Sequence, residues 1–249
     1  MSEGHPDPTD PAEPTAEVIR WPERPVRTER VGVLASGSGT TFEAIGRAWR
    51  DGEIDAGSLT LFATTPEAGA IKRAEALGIP SVVVDLRGVK IPIVRGDCLQ
   101  DAMEAEGIQF AHCAGMTLII GGRILETPMT NTHPMILPDD PKARAYGGYN
   151  MIGMRVHEKV VEDYYAGLVT RAGSTIHVVD AEPDHGPIVR VSSYDIAERA
   201  RQNDIDPLLV GAEDIAAWTQ ADEKPNNVAA LQAICREGRL RRQDDVTTA

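Results

Sequence analysis

From Val31 onward the chain alternates short apolar runs with longer amphipathic stretches, and this alternation limits the fold more than any other feature. Val31-Gly32-Val33-Leu34-Ala35 reads as a buried strand, followed by the turn Ser36-Gly37-Ser38-Gly39-Thr40-Thr41. A helix from about Phe42 carries Phe42, Ile45 and Trp49 on one face. Leu59 to Ala63 reads as a second strand, and Ile71 to Leu77 as a helix closed by Gly78 and Pro80. Ser81 to Val84 is a third strand, Asp97 to Glu106 a helix burying Leu99 and Met103, and Ile108 to Ala114 a fourth strand. Strands separated by helices specify a parallel sheet with crossover connections. Open sheets of this kind bind ligands beyond the carboxyl ends of their strands. The 36–41 turn, the segment after Ala114 and the residues around Asn131 to His133 are therefore expected to converge on one site.

The second half is less regular. Pro128 to His133 is a short extended piece, Asp139 to Asn150 a polar loop with Gly147-Gly148, and Val156 to Tyr165 an amphipathic helix. Ser174 to Asp180 and Ile188 to Val191 alternate as two strands joined by a Pro- and Gly-containing connection that turns the chain back on itself. A last helix is expected from Val228 to Arg236. The domain organisation expected is a flexible Pro- and acid-rich tail over 1–29, one domain over 30–240 and a flexible tail over 241–249. Six prolines interleaved with acids leave the first segment little to bury, Trp21 being the one large side chain that could dock on the body.

Charge narrows the function classes. With 25 Lys+Arg against 38 Asp+Glu the net charge is −13, which repels phosphate backbones and anionic lipid. Neither nucleic acid nor membrane is expected as a partner. No stretch approaches the roughly 18 consecutive apolar residues of a membrane helix, and the N-terminus lacks the basic start and apolar run of a signal peptide. The expected location is cytoplasmic, with Cys98, Cys113 and Cys235 as buried thiols in a reducing compartment. Their number and spacing form no metal ligand set.

Three pieces could carry chemistry. The glycine-rich turn, Gly37, Ser38, Gly39, Thr40 and Thr41, sits between strand and helix, where backbone N–H groups and the helix dipole make an anion site. Equally, its glycines could serve only to make the turn tight. The turn is not a dinucleotide fingerprint, because the third glycine is missing, nor a P-loop, because no Gly-Lys-Ser/Thr follows. Asn131 and His133, two apart on a strand, point the same way, so an amide and an imidazole could hold a carbonyl oxygen and move a proton. Satisfying local backbone groups near two prolines would explain them as well. Asp184, in Asp184-His185-Gly186-Pro187, is either a turn residue or, beside His133, a carboxylate favouring imidazolium.

Taken in order, these pieces resemble the glycinamide ribonucleotide formyltransferase family of folate-dependent enzymes. The resemblance runs from Val31 to about Val191. It rests on the SGSGTT turn with Phe42-Glu43-Ala44-Ile45, Ala114-Gly115-Met116, Asn131-Thr132-His133-Pro134, Gly153 to His157, Gly173 to Asp180, and Asp184-His185-Gly186-Pro187-Ile188-Val189. It implies the formyltransferase fold: α/β, an open, mostly parallel Rossmann-like sheet with flanking helices, its last strands partly antiparallel. It also implies formyl transfer from 10-formyltetrahydrofolate to an amine of a small metabolite, phosphorylated or not, with no metal required. A homodimer is the expected assembly. In the family the Asn, here Asn131, holds the formyl oxygen. The His, here His133, stabilises the oxyanion and moves protons, and the Asp, here Asp184, keeps that His protonated. The folate pocket would be formed by Met116, Thr117, Leu118, Ile119 and Ile120 with Val179, Asp180, Ala181 and Glu182. The 37–41 turn would hold the acceptor's phosphate.

The chain departs from the family pattern in several places. Leu118 stands where an Arg is usual, unless Arg123 serves after a local shift. Thr41 replaces the customary Asn of the turn, the 139–152 loop is longer, and substrate contacts toward the C-terminus can be placed only within Glu213 to Lys224. These changes spare the formyl-transfer centre and point to a different acceptor. A 10-formyltetrahydrofolate hydrolase and a non-catalytic folate- or nucleotide-binding module are the alternatives.

Overall fold

In the computed structural model, which describes residues 26–247 and their side chains through 237, seven strands form one sheet. In chain order the principal elements are β1 (Arg30–Ala35), α1 (Thr40–Arg50), β2 (Ser58–Ala63), α2 (Gly69–Leu77), β3 (Ser81–Val83), α3 (Pro92–Ala105) and β4 (Phe110–Cys113). There follow β5 (Met129–His133), α4 (Met154–Tyr165), β6 (Arg171–Val178), β7 (Ile188–Asp195), α5 (Ile196–Gln202) and α6 (Ala212–Thr247). The strand order is β3-β2-β1-β4-β5-β6-β7. β1 to β5 run parallel, whereas β6 and β7 are antiparallel to their neighbours. The expected α/β sheet with a partly antiparallel C-terminal end is what forms.

The buried strands explain why their sequences read as continuous apolar runs rather than alternating ones. Val31, Val33 and Ala35 pack with Phe42 and Ile45 of α1 and Leu231 and Ile234 of α6, while the intervening Leu34 packs with Leu99 and Met103 of α3. Helices thus cover both faces. Because β1 has β2 on one side and β4 on the other, the strand order reverses there, and a crevice opens beyond the carboxyl ends.

Several boundaries differ from those expected, each for a physical reason. α3 begins at Pro92, five residues earlier than expected. Its Gly96 looks like a helix breaker, but a Cβ there would lie 1.7 Å from the Gly121 carbonyl oxygen, so close chain approach demands glycine. α6 starts at Ala212 rather than Val228 and continues to Thr247, with Pro225 inside it. An internal proline costs about 3 kcal/mol, and burial of Ile215 and Trp218 before it and Leu231 and Ile234 after it offsets that. Residues 241–247, part of the tail expected over 241–249, continue α6; 248–249 lie outside the described residues. At the other end Val26 and Thr28 are buried, so the body begins before residue 30. Of the tail expected over 1–29, residues 1–25, with Trp21, lie outside the described residues. Cys98 is exposed, because it falls on the outer face of α3, while Cys113 and Cys235 are buried. No described helix is long and apolar enough to cross a membrane.

Candidate active site

The carboxyl ends of β1, β4 and β5 open into a cavity of about 460 Å³. Asn131 and His133, on the same side of β5, both line it. Asp184 reaches them from the loop between β6 and β7. Its Oδ2 lies 3.3 Å from His133 Nδ1 and its Oδ1 lies 3.3 Å from His177 Nε2. The Gly148 N–H donates to Oδ2 at 3.0 Å. Residues far apart in sequence thus meet around one carboxylate.

Asp184 holds its place at a cost. Its φ of 56° is left-handed, a conformation that costs a non-glycine residue on the order of 1–3 kcal/mol and persists only where the surroundings over-determine it. Burial pushes its pKa upward, but hydrogen bonds from His133 and His177, the His133 charge and the Gly148 N–H outweigh that and hold the carboxyl well below the usual range. Asp184 is therefore an anion aimed at two imidazoles.

His133 is buried, and with Nδ1 turned to Asp184 its Nε2 has no hydrogen-bond partner. A buried polar atom left unpaired is costly, and here it belongs to the residue at the cavity wall. His177 was not singled out from the sequence. It lies opposite Asn131 in the β5–β6 register, with Nε2 3.4 Å from Asn131 Nδ2 and Nδ1 donating to the Val178 carbonyl. His157, on α4, is held neutral: burial, then the nearby His133, lowers its pKa to about 4.

All the residues expected around the folate ring, Met116 to Ile120 and Val179 to Glu182, line the same cavity. Met116, Leu118 and Ile120 also pack onto the sheet core, so the wall is apolar and anchored. Arg123 does not join them; it pairs with Asp101 and Glu104 of α3. Of the glycine-rich turn, Thr41 alone lines the cavity. Gly37 and Ser38 are exposed, and Gly39 is buried against the start of α2. The carbonyls of Gly37 and Ser38 accept from the Ala70 N–H and the Arg73 side chain, which ties the turn to α2.

The far wall brings in Glu223 of α6. A buried polar network anchors it to β5. Thr132 Oγ1 donates to Asn227 Oδ1, His112 Nε2 contacts that same oxygen, and Asn227 Nδ2 donates to the Glu223 carbonyl. Burial raises the Glu223 carboxyl to about 7. Since this folded value exceeds the ordinary 4.5, the native state binds the proton more tightly, and stability falls as pH rises between the two values. The ionised form costs on the order of 3 kcal/mol. Glu223→Gln is therefore expected to raise the melting temperature at pH 8 by roughly 6–12 °C and to do little at pH 5. Equal shifts at the two pH values would contradict this.

With that geometry in view, relatedness to known proteins is decisive. The family model described as formyl transferase matches residues 29–216. The chain belongs to the formyl transferase family. It is 28% identical over 173 residues to phosphoribosylglycinamide formyltransferase of Bacillus subtilis (strain 168), covering 68% of this chain and 81% of that one. To the chloroplastic phosphoribosylglycinamide formyltransferase of Vigna unguiculata it is 29% identical over 227 residues, 89% of this chain but 65% of the length of that relative. Glycinamide ribonucleotide transformylase 1 from Symbiobacterium toebii superposes with a TM-score of 0.68 at 24% identity, covering 84% of this chain and 88% of that one, a likeness of fold. That likeness of fold agrees with the seven-stranded sheet described above.

Proposed function

We propose that the protein moves a formyl group from 10-formyltetrahydrofolate to the amine of a small metabolite. One observation carries the reading: Asp184 stands between His133 and His177 at a cavity wall shared with Asn131, and His133 Nε2 is left without a partner. The donor supplies a formyl carbon whose oxygen gains negative charge as an amine adds to it. The residues present fit such a group. Met116, Leu118, Ile119 and Ile120 offer an apolar wall to a flat ring.

Each polar residue then has a part. The Asn131 amide donates to the formyl oxygen, and the His133 imidazole stabilises the charge developing there, the kind of preorganised donor that contributes most in acyl transfers. The same ring can carry a proton between acceptor and donor nitrogens. Asp184 fixes the orientation of His133 through Nδ1 and balances its charge. The acceptor would lie toward Thr41 and Glu223. Leu118 in the apolar wall and Thr41 as the one turn residue on the cavity support an acceptor other than glycinamide ribonucleotide.

The test is to incubate the protein with 10-formyltetrahydrofolate and a panel of primary amines, glycinamide ribonucleotide among them, and follow release of tetrahydrofolate. Release that depends on an amine is expected. Release at the same rate without any amine would make the protein a hydrolase, and donor binding without turnover would make it a binding module; either result refutes the proposal.

A further inference from the structure

The 139–150 loop is tied to the Asp184 backbone through a buried arginine. Arg144 is 8% exposed, and its donors are directed at backbone carbonyls. Nε donates to the Pro138 carbonyl at 2.9 Å, and Nη2 points to that of Asp139 at 3.5 Å. Nη1 donates to the carbonyls of Asp184 at 2.6 Å and of Gly186 at 2.9 Å. One planar guanidinium therefore bridges two loops, a geometry that the forked donors of arginine allow and a lysine ammonium does not.

The loop closes on Asp184 at two more points. Gly148 donates its N–H to the carboxylate. A Cβ on Gly147 would lie 3.1 Å from the Asp184 Cβ, so the two backbones are in close contact. The far end of the Asp184 loop is fixed to the sheet as well, since the Val178 N–H donates to the Pro187 carbonyl at 2.8 Å. Left-handed Asp184 is thus held from both directions.

Resting on the formyl-transfer reading above, we propose that Arg144 is a positioning residue that sets the Asp184 carboxylate against His133 and His177 by clamping the backbone at residues 184 and 186. The guanidinium touches none of the reacting atoms and acts through Asp184. The groups facing Asp184 are His133 from β5, His177 from β6 and Arg144 from its own loop, while Asp139, Asp140 and Asp180 surround the guanidinium. Burial lowers the Arg144 pKa, and those three carboxylates with Asp184 oppose the fall. Arginine remains charged throughout the range of interest.

The test compares Arg144→Met and Arg144→Lys with the wild-type full chain, with and without Asp184→Asn. In the wild-type background Arg144→Met is expected to lower kcat roughly 10–100-fold with the donor KM nearly unchanged, the scale of effect that a small misplacement produces. In the Asp184→Asn background it is expected to change kcat by less than about twofold, because the carboxylate it positions is already gone. A readout independent of turnover is the nitrogen-15 signal of His133 Nδ1, which faces the Asp184 carboxylate at 3.3 Å. It should move in Arg144→Met, as the carboxylate leaves its place, and move less in Arg144→Lys, which also serves if the Met variant does not fold. An unmoved signal, or equal loss of kcat in both backgrounds, overturns the inference. A moved signal in a protein whose wild type transfers no formyl group upholds the clamp and refutes the reading beneath it.

Discussion

His133→Ala is expected to lower formyl transfer by about 10²–10⁴-fold, the range associated with a positioned acid–base group, while binding of the folate donor is largely kept. The apolar wall proposed to hold the donor, Met116 to Ile120, belongs to the loop after β4 and does not depend on the imidazole. Asp184→Ala should fall in the same range, for a different reason. It leaves His133 Nδ1, His177 Nε2 and the Gly148 N–H facing a hole, so the imidazole loses both its orientation and its counter-charge. Because the folded carboxyl is held below its ordinary value of 3.8, its contribution to stability is complete above that value and disappears only as pH falls through the lower folded value. The pairing should therefore persist at pH 4–5, and Asp184→Ala should lower the unfolding midpoint there as much as at pH 7. Turnover equal to wild type in both variants, followed by tetrahydrofolate release, would refute these roles.

The second large effect separates two glycines that look alike in the sequence. Gly39→Ala is expected to destabilise the protein by about 3 kcal/mol or more, among the larger single-residue effects. Gly39 has a φ of 75°, and a Cβ there would lie 2.4 Å from the Ala70 Cα and 2.9 Å from its nitrogen. Left-handed backbone alone costs an alanine roughly 1–2 kcal/mol, and the backbone at the start of α2 cannot move aside without disturbing its packing on α1. Gly37→Ala meets nothing within 4 Å and is not left-handed, so its effect should stay within about 1 kcal/mol, in the stabilising direction if it restricts the unfolded chain. Denaturant midpoints of the two variants, measured side by side, decide the matter. Similar losses in both would mean that the turn is not held against α2 as described.

Much of the fold was legible because the governing signals are local. Val31 to Ala35, Leu59 to Ala63 and the spacing of Phe42 and Ile45 each carry their own period, and the strands and helices read from them are present. Boundaries failed where a distant partner decides them. Gly96 reads as a weak point in a helix until the Gly121 carbonyl is seen lying against it. Pro225 reads as a terminus until the packed residues on either side of it outweigh the lost hydrogen bond. The same division holds at the site. Asn131 and His133 share a strand, so their common direction follows from the period of two. Arg144 and Gly148, from the 139–150 loop, and His177, from β6, could not be found that way, since none shares a local period with Asp184.

Alone, the order of residues determined that strands and helices alternate, that a glycine turn precedes the first helix, and that an amide and an imidazole project together from one strand. These follow from backbone geometry over a few neighbouring positions. Tertiary structure alone decided that the Asp184 carboxylate, 51 residues from His133 and seven from His177, sits between the two histidines. It also decided that a Cβ at Gly39 would collide with Ala70 while one at Gly37 would meet nothing, and that Glu223 lines the far wall. Contacts of that kind depend on how the strands are ordered in the sheet and how closely the loops approach, and no local period encodes either.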